Sequence, residues 1–85
     1  MKRNLTSEEL AEAWKAGVMP LHAAARRHFK SIGIWPVHEK VMVALEMILG
    51  LANLGRWNTL VPVGDNRELT VAQAIERFQL SEFLG

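Results

Sequence analysis

The side chains that could perform acid–base chemistry in this chain are few. Glu39 and Glu46 lie about two turns apart on a predicted third helix with His38 beside them, so a general acid–base pair can be drawn there. The same spacing fits the solvent-facing stripe of an otherwise apolar helix, which is the interpretation we favour. The sequence contains no cysteine, no Gly-x-Ser-x-Gly turn, no phosphate-binding glycine loop and no His-Glu-x-x-His motif. We therefore expect a protein that is not an enzyme.

The three histidines do not have the spacing of a metal site. His22 and His28 fall on different sides of one predicted helix, and no cysteine accompanies them. His28 lies on the apolar side of that helix. We expect no metal ligand and no cofactor.

A basic helix face is the strongest signal for nucleic-acid binding. The second predicted helix places His22, Arg26, Arg27 and Lys30 where they could follow a phosphate backbone, and Lys40 adds a further cation. The same pattern is typical of a solvated helix face.

A helix-turn-helix could be drawn from 21 to 54. A helix that reads DNA bases exposes several polar side chains near its start, whereas the third helix offers only His38, Glu39 and Lys40 before it becomes apolar. We keep a DNA- or RNA-binding regulator, contacting phosphates through helix two, as the alternative function.

Capping signals and apolar periodicity predict a mainly α fold. Thr6 with Glu9 and Thr70 with Gln73 each form a capping-box pattern, and Pro36 is suited to the first position of a helix. Gly17 and Gly55 are placed to end helices. The predicted helices span 7–16, 21–31, 37–54 and 71–79.

The segment near 58–63 is β-branched and interrupted by Pro62, which indicates an extended connector or edge strand. Two continuations compete. Either 68–72 pairs back on 59–63 as a hairpin, or a helix begins at Val71; the spacing of the apolar residues from 71 to 78 favours the helix.

The third helix is predicted to be central and apolar on nearly all sides, with only Glu39, Glu46, Gly50 and Asn53 forming a solvent stripe. An 85-residue chain has little other material to enclose such a helix, so pairing with a second copy is the expected solution. The surplus apolar residues predicted to form a protein interface are Trp35, Met42, Met47, Leu49, Trp57, Leu80, Phe83 and Leu84.

Composition sets the broad class. A net charge of +1 and 49% hydrophobic residues exclude a disordered chain and a strongly acidic or basic one. No secretory signal and no bilayer-length apolar segment are visible, so we expect a cytoplasmic protein without a membrane partner. The overall prediction is one compact four-helix domain over residues 1–85. It acts without catalysis as a regulator, adaptor or inhibitor that binds a protein partner, with homodimerisation expected.

Overall fold

Local capping fixes the helix starts in the computed structural model, which describes residues 5–85. Helix α1, Ser7–Lys15, begins where the Thr6 hydroxyl accepts the Glu9 N–H at 3.1 Å and the Glu9 carboxylate accepts the Thr6 N–H at 3.3 Å. Helix α2 is Leu21–Ser31 and follows Pro20. Helix α4, Val71–Arg77, begins with the same reciprocal bonds between Thr70 and Gln73. Both predicted capping boxes are confirmed.

Helix α3 is Glu39–Asn53 and begins later than the predicted residue 37. The His38 side chain caps it, because its Nδ1 accepts the backbone N–H of Lys40 at 3.1 Å. Pro36 therefore lies outside the helix, after a cis Trp35–Pro36 peptide bond. At the other end Gly55 has a φ of 76°, the left-handed conformation that its predicted capping role requires.

A two-stranded antiparallel hairpin connects α3 to α4. Strand β1, Leu60–Gly64, pairs with β2, Arg67–Thr70, and Leu60 lies opposite Thr70. Helix α4 starts at the next residue, so hairpin and helix coexist and our treatment of them as alternatives is wrong. Thr70 makes this possible because its extended backbone, with φ −68° and ψ 159°, suits both the last residue of a strand and a helix N-cap.

The core lies where α3 packs against β1, α2 and α4. Residues buried there include Phe29 of α2, Ile48 of α3 and Val61 of β1. After α4, a short 3-10 helix, Ser81–Phe83, returns the chain to α1 and packs against it, with Phe83 buried. None of the helices within residues 5–85 has both the length and the hydropathy needed to cross a bilayer.

Candidate protein-interaction site

The side of α3 that faces away from the core carries exposed apolar residues beside polar ones. Val43 is 79% exposed, Met47 is 45% exposed, and Leu54, the residue that caps the helix, is 73% exposed. The opposite side is buried and consists of Val41, Ala44, Leu45, Ile48, Leu49 and Ala52. The folded chain therefore encloses only one side of α3, and the prediction of a helix buried on nearly all sides is not met within a single chain.

The exposed apolar residues on and just after α3 line up along one face of the helix. Val43, Met47, Gly50 and Leu54, which we call the α3 stripe, fall within about 60° of arc at ~100° per residue. Their alternating steps of four and three residues are those of the seam along which paired helices meet. Gly50 lies inside the stripe, and a Cβ built on it would meet nothing within 4 Å. The stripe thus contains a shallow notch where another helix could approach closely.

A polar rim borders the α3 stripe. Glu39, Glu46 and Asn53 are exposed along one of its sides. This is the solvent position that the sequence predicts for them. Val43 and Leu54 were not among the predicted interface residues. Their exposure was predictable, because both lie within a quarter turn of Gly50, which belongs to the predicted solvent stripe.

The other predicted interface residues divide into two groups. Met47 and Trp57 are exposed, while Trp35, Met42 and Leu84 are half-buried against the core. Leu49, Leu80 and Phe83 are buried in the chain's own core and cannot contact a partner, so we remove them from the candidate interface.

The C-terminal segment explains two of these corrections. The Phe83 ring packs against Trp14 at 6.0 Å and against His28 at 5.3 Å between ring centroids. Lys15 also holds the segment, because its Nζ donates to the Glu82 carbonyl at 2.9 Å. The tail therefore docks on α1 and α2 and offers no free apolar end.

The basic face of α2 forms a separate surface. His22, Arg26, Arg27 and Lys30 are all exposed. Arg26 Cζ and Lys30 Nζ each lie 6.0 Å from the ring centroid of Trp35, a cation–π arrangement.

Two predicted site residues thus lie on a different surface from the one predicted for them. Trp35, predicted for a protein interface, belongs to the basic face. Lys40 stands apart from that face, since its Nζ lies 3.7 Å from the Asp65 carboxylate at the hairpin turn.

His28 is the buried polar residue that ties the helices together. It is 1% exposed, its Nδ1 lies 2.7 Å from Ser7 Oγ, and its Nε2 lies 2.9 Å from the Phe78 carbonyl oxygen. Because a carbonyl oxygen only accepts, Nε2 carries a proton and donates to Phe78, while Nδ1 and Ser7 Oγ share the second hydrogen bond. The prediction that His28 lies on the apolar side of its helix is confirmed. Within residues 5–85 no three His, Asp or Glu side chains are grouped so that they could hold a metal ion.

Known proteins add no functional assignment to this geometry. Comparisons of the chain with protein-family models, with curated proteins and with solved structures find no match.

Proposed function

We propose that this protein is a small non-enzymatic regulator, adaptor or inhibitor that acts by binding a protein partner, and that it forms a homodimer through the α3 stripe. The observation that supports this proposal is the run of exposed apolar side chains along one face of a regular helix. Single exposed apolar residues are ordinary, whereas a contiguous group with a polar rim is typical of interaction sites. Burial of such surface contributes about 25 cal/mol per Å².

An antiparallel pair of α3 helices matches the shape of the stripe. With Met47 near the two-fold axis, Val43 of one protomer lies opposite Gly50 of its partner, so the Val43 side chain meets the notch at Gly50. Because the interface is two-fold symmetric, the contact between Val43 and Gly50 occurs twice. Antiparallel pairing also brings the Glu46 carboxylates of both protomers to the same side of the axis. Parallel pairing would instead set Glu46 beside the partner's Leu51, so Glu46 distinguishes the two arrangements.

A stable dimer interface must extend beyond the four residues of the α3 stripe. A stable interface buries about 800 Å² on each partner, roughly a seventh of this chain's 5530 Å² surface. A helix of 15 residues is about 22 Å long, so we expect the contact to include the rim of Glu39, Glu46 and Asn53.

Sedimentation velocity over a wide concentration range tests the proposal. We expect the unmodified chain to dimerise, and Met47→Glu and Val43→Glu to yield folded monomers, because each substitution would bury an unpaired charge in the interface. Val18→Glu is the matched control, since Val18 is 78% exposed and lies in the loop between α1 and α2. A monomeric unmodified chain, or a dimer that survives Met47→Glu, would refute the proposal.

A second candidate function is phosphate-directed binding of DNA or RNA through the basic face of α2. What favours it is the placement of Arg26 and Lys30 around Trp35, since cations next to an aromatic ring are typical of single-strand binding surfaces. None of His22, Arg26, Arg27 and Lys30 forms an ion pair with an acidic residue in the described part of the chain.

Salt titration of oligonucleotide binding tests this candidate. Each phosphate contact adds about 0.7 for a single strand, or about 0.9 for duplex DNA, to the slope of log K against log salt. Replacement of Arg26, Arg27 and Lys30 by Ala should therefore reduce the slope by roughly 2 to 3 and leave the oligomeric state unchanged. Oligonucleotide binding with an unchanged slope would exclude this face as the contact.

A further inference from the structure

A groove of about 260 Å³ opens between the start of α3, the hairpin and the end of α4. Its floor is apolar and includes Val41, Val63 and Phe78, and its rim carries the cationic or titratable side chains His38, Arg67 and Arg77. We call it the arginine groove. It lies on the core side of α3, whereas the α3 stripe lies on the opposite side.

The two arginines have no partner among the described residues 5–85. In residues 5–85 neither the Arg67 nor the Arg77 guanidinium forms an ion pair, a hydrogen bond or a ring contact. His38 uses Nδ1 to cap α3, and its Nε2 lies 3.6 Å from the exposed Asp65 carboxylate. The rim therefore presents two free guanidinium forks above an apolar floor.

The hairpin bulge places Arg67 next to His38, while the end of α4 supplies Arg77. The strand register shifts between Pro62 and Gly64, so that Gly64 lies opposite Arg67. A Cβ at position 64 would lie 3.5 Å from Arg67 Cβ and 4.0 Å from His38 Cδ2. Gly64 thus lies next to both Arg67 and His38, and bulges of this kind often redirect side chains beside binding sites.

We infer that the arginine groove binds a small aryl carboxylate. A guanidinium fork matches a carboxylate through two parallel hydrogen bonds, and Arg67 and Arg77 are free to supply them. The apolar floor, with the Phe78 ring, accommodates an aromatic body. The volume lies just below the usual range of small-molecule sites, about 300–1,000 Å³, which restricts the ligand to roughly one ring.

Three probes separate the two parts of this recognition. We expect phenylacetate to bind in calorimetric titrations and to shift the backbone amide resonances of His38, Arg67 and Phe78. Phenylacetamide, which lacks the charge, and acetate, which lacks the ring, should bind far more weakly. If phenylacetamide binds as tightly as phenylacetate, the arginines contribute nothing and the groove is only an apolar cleft. If acetate binds as tightly, the apolar floor contributes nothing and the site only attracts anions. Either result would overturn the inference, as would no binding of phenylacetate.

Arginine variants locate the site. Arg67→Gln and Arg77→Gln should each weaken phenylacetate binding about tenfold or more, because each removes a charged hydrogen-bond donor. Arg56→Gln is the matched control, an exposed arginine in the loop after α3. Unchanged affinity in both groove variants would refute the assignment. Met47→Glu should bind phenylacetate normally, so dimerisation and ligand binding can fail independently.

Discussion

Replacement of His28 by Leu should destabilise the fold by about 3 kcal/mol. The substitution leaves the buried Phe78 carbonyl without its Nε2 donor, which costs about 1–3 kcal/mol, and removes the Ser7 bond, worth about 0.5–1.5 kcal/mol. Leu fills much of the space between Phe29 and Phe83, so the loss is mainly polar. A domain of this length has a total stability of about 4–13 kcal/mol, so the variant should remain folded at low temperature.

Urea denaturation at fixed protein concentration measures this loss, with circular dichroism and tryptophan fluorescence as independent probes. Ser7→Ala alone should cost about 1 kcal/mol and nearly nothing when added to His28→Leu, because the hydrogen bond is already absent. If Ser7→Ala costs the same in both backgrounds, the 2.7 Å contact contributes no coupling energy. If His28→Leu is as stable as the unmodified chain, burial of the Phe78 carbonyl without a donor carries no penalty, and the reasoning is refuted.

Three further predictions concern other parts of the fold. Phe83→Ala should cost about 3–5 kcal/mol in the same urea titration, because the ring is fully buried against Trp14; a loss below ~1 kcal/mol would contradict docking of the tail. Thr70→Ala should cost about 1 kcal/mol by loss of the α4 cap, and Thr70→Ser should restore most of it. Glu46→Gln should tighten the proposed α3 dimer in sedimentation experiments, since it removes a repulsion across an antiparallel axis; unchanged affinity would favour parallel pairing.

Local signals in the sequence account for most of the element boundaries. The capping boxes at Thr6 and Thr70 join groups three residues apart, and Gly55 ends α3 through its own backbone conformation. Such interactions need no tertiary partner, so they can be predicted from the sequence alone. The hairpin was harder to predict, because we treated a hairpin and a helix beginning at Val71 as alternatives. Thr70 belongs to both, as the last residue of β2 and the N-cap of α4.

The arginine groove was not predicted at all. Its rim residues are separated along the chain, and neither a spacing rule nor a motif connects Arg67 with Arg77. The hairpin register and the end of α4 bring them to one opening. Sites made in this way follow from chain topology, which a single sequence without motifs does not specify.

The sequence by itself determined a mainly helical chain and the capped starts of α1 and α4. The sequence predicted the solvent side of α3 along Glu39, Glu46, Gly50 and Asn53. The tertiary structure decided that the exposed side extends from there to Val43 and Met47 and not to Leu49, because hydrophobicity alone does not choose among these apolar residues. It also decided the partners of His28, which lie 21 and 50 residues away in the sequence. Hydrophobic burial is non-directional, so the packing of the described residues selects which apolar surface remains exposed.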